Sequence, residues 1–460
     1  MRKVFSASIA ERLGEWVSGL SLSHVPEEAL HIARRCIIDT IAVSIGGSHT
    51  PVAERLREYV SSQYGTGPCN LLGTSQSASA AGATLANGCA AHALDFDDTS
   101  YAGVLHGSTI VLPAVLAAAE QADINGAGFL EAFVAGSEAA YGLGLTLTDS
   151  HYLSGWWATG TLGAIGAAAG SAKALGLGEG ETVTAISLAA LQANGMIAML
   201  GTDAKPILAG QAAKLGLESA LLAAQGNSSP QNVFEDRRGL LKLMNEGRLD
   251  KAGLAELGKT WRLLEPGITI KRAPLCSATQ AAIEVTENLI SENNLDPENI
   301  KSVRCEVAHL VKISLVHDKP ETPSEAQFSM PFAVGCILAF GKVGPEQITQ
   351  QTLGDKALQE AMAKVEMVEV DDLNGPDFQP AFPECARVII SMSSGDEFSG
   401  FLGAPTGMRS NPMSDEELSG KFRTCAAFAG WTDDKVEDVL TRLWDIENAE
   451  SIRVLLGGEA

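Results

Sequence analysis

Apolar residues recur at three- to four-residue spacing through most of the first 260 positions, in segments rich in Ala, Gly, Leu and Ser and poor in β-branched runs. That is the period of helices burying one face. The opening MRKVFSASIAERLGEWVSGL acquires Glu11 and Glu15 before any long apolar run develops, so it reads as a first amphipathic helix and not as a signal peptide. Ser23 is placed to cap a second helix, with Pro26 and Glu27 in its first turn, running through ALHIARRCIIDTIAVSI and stopping at Gly46-Gly47. The same reasoning predicts helices over 79–93, 109–122, 128–145, 160–174, 182–198 and 208–225. Their small residues, GTLGAIGAAAGSAKALG being the extreme, let helix axes approach closely in a compact bundle. No β-branched strand precedes the GxG spacings here, so they do not signal a phosphate loop.

Near residue 266 the pattern changes. GITIKRAPLC reads as extended, 278–292 as a helix, KSVRCEVAHLV as a strand with alternating apolar positions, and 324–340 as a further helix. CARVIISMSSGDEFSGFLGAP predicts a hairpin turning at Ser394-Gly395-Asp396. The tail NPMSDEELSGKFRTCAAF returns to helix, with Ser414 and Glu417 forming a capping box. The expected fold class is mainly α: a large all-helical domain of residues 1–265 with 401–460, and a smaller α+β domain of residues 266–400.

With 460 residues and 45% hydrophobic content, the chain is long enough to bury two cores. Its 33 Lys plus Arg against 56 Asp plus Glu give a formal charge of -23, which argues against nucleic acid or anionic membrane as a partner and requires a local basic pocket for any anionic substrate. The longest apolar stretches, such as Ile110 to Ala119, are about half the ~20 residues of a membrane span. Eight scattered cysteines, without a CxxC pair or Cys/His metal spacing, predict reduced, mostly buried thiols and a cytoplasmic location.

Three segments carry candidate chemistry. In HALDFDDTSYAGVLHGSTIVLPAVLAAAE, Asp95, Asp97, Asp98 and Thr99 precede a loop bearing His106. Acids this close are costly to bury unless paired or used, so either they belong to a site, or they cap the next helix or face solvent and His106 is a plain loop histidine. DFDD could also be read as a Mg²⁺ site, but such sites want a second acidic motif and an aromatic-lined pocket, and the chain is only 5% aromatic. Lys205 lies just ahead of a small-residue helix expected to begin near Ala209, where it either meets a carboxylate or faces water. Lys271 and Arg272 fall at the expected domain boundary, where pockets form, although a solvated basic pair is the plainer reading.

In this order AHALDFDDT, HGSTIVLPA, GW with TGTLGA, GTDAKPILAG with AAKLG, KRAPLCSATQAAIE and NPMSDEELSGKF resemble the landmarks of the MmgE/PrpD family across essentially the whole chain. The resemblance implies a helical domain, a smaller α+β domain, commonly a homodimer, and no cofactor. Family members include 2-methylcitrate dehydratase, cis-aconitate decarboxylase and iminodisuccinate epimerase, so the implied substrate is a small polycarboxylate. Carried over by position, Asp95, Thr99 and His106 match the acid, hydroxyl and histidine of the family pattern, and Lys205 and Lys271 its two lysines. Lys205, Lys271 and Arg272 would hold carboxylates, and His106 would remove a proton from the adjacent carbon, with Asp95 orienting it or acting as partner acid or base. Two positions depart: Trp157 stands where a histidine is usual, and Phe332 where decarboxylase-like members have tyrosine, so neither supplies a proton. His151-Tyr152-Leu153 resembles the epimerase and makes Tyr152 a replacement acid or an ordinary half-buried tyrosine. The expected activity is a cofactor-independent lyase, a dehydratase or decarboxylase. An epimerase or isomerase of a dicarboxylate, and a silent anion-binding member, remain as alternatives.

Overall fold

The computed structural model describes residues 7–455; Arg2 and Lys3, the basic start of the first predicted helix, lie outside them. The chain is mainly helical, and Ile9–Gly19 is the first helix, with Ser8 and Glu11 completing a capping box at its start. Helices Ala80–Ala93, Ser108–Ala122, Gly126–Leu147, Ala158–Ala174 and Ala204–Ala224 form the centre of the bundle, with Glu27–Gly47 alongside. Ala204–Ala224 has the length and apolarity of a membrane span, yet it packs among the other bundle helices. Small residues make that packing possible: a Cβ on Gly210 would stand 2.2 Å from the Leu85 carbonyl oxygen, and one on Gly216 2.4 Å from the Ala167 Cβ.

The tail folds back onto this bundle. Helix Asp415–Phe428, capped by Ser414 and Glu417, packs on Glu27–Gly47, and its apolar side chains join the same core. Buried Lys421 pairs with Asp39 at 2.6 Å and donates to the Phe96 carbonyl at 2.7 Å, which fixes the DFDD segment from behind.

Separate apolar cores form between Ala273 and Leu402. They pack around a four-stranded sheet in the order Val365–Glu369, Ile300–Val307, Ala386–Met392, Glu397–Leu402; the first pair is parallel and the other two antiparallel. Ala386–Met392 alternates buried and half-buried positions along its length, as a strand with one covered face must. The Gln327 side-chain amide, which donates to the Ala93 carbonyl at 3.0 Å, joins the two parts, and an antiparallel bridge between Thr99 and Thr269 holds the segment that leads from the first core, where Ile268 and Ile270 pack, into the second.

Several local expectations shift. Ser23 lies in the 3-10 turn Leu22–His24 and does not cap the second helix, which starts at Glu27 directly after Pro26. The helix expected over 182–198 ends at Gln192, because Gly195 takes a φ of +154° and its carbonyl accepts from the Trp157 amide instead. The 324–340 helix is broken into Pro323–Ala326 and Met330–Phe340, the second piece restarted by a Ser329 cap. Strand Val365–Glu369 was not legible: KVEMVEV is short and takes its pairing from the distant Ile300–Val307. All eight cysteines are free, and every one but Cys276 is buried.

Candidate active site

The end of helix Ala80–Ala93 and the segment after it carry the polar centre. Asp95 takes a φ of +47°, Gly103 +90° and Val104 +55°, and Ser100 and Leu105 exchange backbone hydrogen bonds across the resulting turn. Positive φ at a β-branched residue costs conformational energy, which neighbouring structure must impose. Gly107 is required for a different reason: a Cβ there would stand 2.5 Å from the Tyr141 hydroxyl oxygen. This turn brings His106 back over Asp97 and Asp98, while the Thr159 hydroxyl accepts from the His106 amide at 2.9 Å.

Asp97, not Asp95, is the acid that faces His106. Asp97 Oδ2 lies 3.1 Å from His106 Nδ1 and 2.8 Å from His92 Nδ1, and the His106 Nδ1 also sits 2.9 Å from the Asp98 carbonyl oxygen. A carbonyl only accepts, so Nδ1 carries a proton, and Nε2 is the ring nitrogen left to exchange one with a ligand. Burial would raise Asp97, but His92 and His106 outweigh it and hold the carboxylate well below its ordinary range. Burial pushes His92 down to about 4, so this histidine is neutral at pH 7. The His92 and His106 rings meet edge-on with centroids 4.8 Å apart, and Trp157 stands 5.7 Å from the far side of the pair at His92.

Asp95 is held by both lysines. Its Oδ1 is 2.8 Å from Lys205 Nζ and 3.0 Å from Lys271 Nζ, and Lys271 also donates to the Asp95 carbonyl at 2.6 Å. Burial opposes ionisation, but Lys205, then Lys271, His106 and His92 keep this carboxyl below the carboxylate range. The expectation that Asp95 orients the histidine therefore gives way to a different placement: Asp95 clamps the two ammonium groups. Lys205 falls within the first turn of its helix, which starts at Ala204 and not near Ala209. Asp98 accepts from Ser108 at 2.5 Å, and burial and Asp39 push it up to about 7.

The other predicted site residues separate. Thr99 reaches Thr269 through its backbone, which sets the register that delivers Lys271. Tyr152 is half-buried near Cys276, Ser314, Glu384 and Asp95, and burial pushes its phenol up to about 12. Arg272 turns outward and pairs with Glu284 at 3.5 Å and Glu287 at 3.0 Å, so it is not brought to the cluster. Phe332 is fully buried in the second part's core with Leu275 and Ile283; the phenylalanine beside the lysine clamp is Phe328, its ring centre 5.2 Å from Lys205 Nζ. His92, three positions before Asp95, went unread as a site residue, although its place in AHALDFDD was a usable signal.

His92, Asp95, Asp97 and His106 each offer a ligand atom, all within 4.8 Å of one another. A divalent cation there would have to share Asp95 with the ammonium groups of Lys205 and Lys271, which repel it, so the donor set suits proton transfer better than metal binding. Three buried atoms of this cluster, His92 Nε2, Asp95 Oδ2 and Asp97 Oδ1, have no hydrogen-bond partner in the protein, which points to the place where a polar ligand is received.

The MmgE/PrpD N-terminal domain pattern matches residues 11–251 and the C-terminal domain pattern residues 273–446. The chain belongs to the MmgE/PrpD family. Its relatives within the family include a cis-aconitate decarboxylase-like protein of Aspergillus oryzae, 25% identical over 98% of both chains. The cis-aconitate decarboxylase of Aspergillus terreus strain NIH 2624 is 28% identical over 96% of this chain and 94% of its own. The human cis-aconitate decarboxylase is 26% identical over 97% and 94%. These names support an enzyme of the lyase type.

Proposed function

We propose that this MmgE/PrpD protein is a cofactor-independent carboxy-lyase acting on a small di- or tricarboxylic acid, with cis-aconitate the first compound to test. The observation that carries the reading is the placement of His106: Nδ1 is held by the Asp98 carbonyl and Asp97, which leaves Nε2 to move a proton in the cluster that also holds two buried ammonium groups. A carbon next to a carboxylate loses its proton only if the negative charge that develops is held, and Lys205 and Lys271 are fixed cations at that place. Asp95 prevents either from swinging away, and the group of two lysines and one aspartate keeps a net positive charge in a chain whose total is -23. Asp97 stabilises the imidazolium while the proton is on His106. His106 returns this proton to the substrate skeleton, and loss of CO₂ then leaves an electron pair on carbon, where one further proton replaces the departed carboxylate.

The test is a panel of di- and tricarboxylates followed by NMR in D₂O with excess EDTA present. CO₂ release with deuterium in the product supports the reading. Water release would make the enzyme a dehydratase, and deuterium uptake at unchanged carbon composition an isomerase; either outcome refutes the carboxy-lyase assignment. Turnover lost in EDTA and restored by a divalent ion would refute its metal-independence.

A further inference from the structure

Trp157 and Phe332 provide no acid, yet a carboxy-lyase must deliver one proton to carbon for each CO₂ lost. We propose, resting on the carboxy-lyase reading above, that Tyr101 delivers that proton and that Glu384, reaching in from the second part of the chain, resupplies it. Tyr101 lies on the turn that carries His106, and its hydroxyl is 2.5 Å from Glu384 Oε2, 283 residues away in sequence. Ser277 donates to the other oxygen, Oε1, at 2.9 Å. The carboxyl is 5% exposed and interacts electrostatically with Lys271 and Asp95 of the polar centre, whereas Tyr101 and Ser277 are half-buried.

The groups facing Glu384 are Tyr101 from the turn, Ser277 and Cys276 from the second part, Lys271 and Asp95 from the lysine clamp, and Tyr152 from helix Asp149–Leu153. Burial raises the Glu384 carboxyl, and Asp95 adds to this, against Tyr101, Ser277 and Lys271. Burial and the neighbouring Glu384 also raise the Tyr101 phenol. A protonated carboxyl donates to the phenol oxygen, which frees the phenol proton for the substrate. In the transfer the Tyr101 O–H breaks as the new C–H forms, the Glu384 O–H breaks as the Tyr101 O–H re-forms, and Glu384 ends as a carboxylate that regains its proton from water. One solvent proton is consumed per CO₂ released, and no oxidant or reductant is needed.

The experiment compares wild type, Tyr101→Phe, Glu384→Gln and Glu384→Asp. Either of the first two substitutions should lower kcat by about 10²–10⁴-fold with KM little changed, and Glu384→Asp should recover part of it. The donor is the protonated form, so wild-type kcat should fall as pH rises through the raised Glu384 value, and Glu384→Gln should abolish that limb. A latch that merely joins the two parts would instead lower Tm and leave the pH profile unchanged, which would overturn the relay. Infrared difference spectra read the carboxyl apart from turnover: a protonated-carboxyl band that Glu384→Gln removes supports the relay, and absence of that band near neutral pH overturns it. A wild type inactive on every acid of the panel refutes the carboxy-lyase reading, and the infrared result still decides the protonated pair.

Discussion

Replacing Asp97 with asparagine removes the charge that both histidines share while keeping the side chain's size. In wild type, Oδ2 lies 3.1 Å from His106 Nδ1 and 2.8 Å from His92 Nδ1, at a carboxyl with no exposed surface. When His106 takes a proton, a unit charge appears about 3 Å from the carboxylate; at an effective dielectric of about 20 this attraction is on the order of 5 kcal/mol. A lower bound comes from one charge-assisted hydrogen bond, about 1.5–3 kcal/mol. At about 1.36 kcal/mol per factor of ten, these bracket a loss of roughly 10- to 10⁴-fold in kcat, with 10²–10⁴ typical of general acid–base catalysis. The amide can also donate to His106 Nδ1 and move its proton to Nε2, which places the loss at the upper end. The assay is CO₂ release followed across pH, with calorimetric binding of a tricarboxylate and thermal unfolding as controls. Asp97→Asn should bind the acid nearly as wild type does and turn over far less. Turnover within twofold of wild type, or a loss matched by the fraction unfolded, would refute the assignment of Asp97 as the residue that orients and charges His106.

Two further substitutions probe the same centre. His92 falls to about 4 in the fold, below the ordinary histidine value of ~6.5, so between these pH values the unfolded chain binds more protons and stability is lost as pH falls. The full difference is about 3 kcal/mol. Asp98, Glu120 and Glu138, pushed up to about 7 by burial, act oppositely by losing stability as pH rises toward 7. His92→Gln is therefore read by its difference from wild type in urea unfolding from pH 4 to 7, and an identical slope would show that His92 is not held neutral. Lys271 has no exposed surface and faces buried Asp95, so Lys271→Ala leaves a partly compensated buried charge and should cost about 3–5 kcal/mol as well as substrate affinity. An unchanged unfolding midpoint would contradict the clamp, and the double change Asp95→Asn, Lys271→Ala should recover part of the stability.

The sequence by itself determined the elements with strong local causes. Apolar spacing marked the bundle helices, small residues marked their close approach, Ser414 with Glu417 marked the tail helix, and Ser394-Gly395-Asp396 marked a hairpin, because each is settled by neighbours within a few residues. The segment from Asp95 to His106 and the two lysines were also legible as a group. Which atom meets which was not. Only the tertiary structure gave His106 to Asp97 and both lysines to Asp95, since a positive φ at Asp95 and the turn at Gly103–Val104 redirect acids two residues apart toward different partners. It also turned Arg272 outward to Glu284 and Glu287, and brought Phe328 rather than Phe332 to Lys205 by breaking the helix before Ser329. Glu384 had no local signal at all: its meeting with Tyr101 depends on how two separately packed cores dock, and periodicity along a chain carries no information about a contact 283 residues distant.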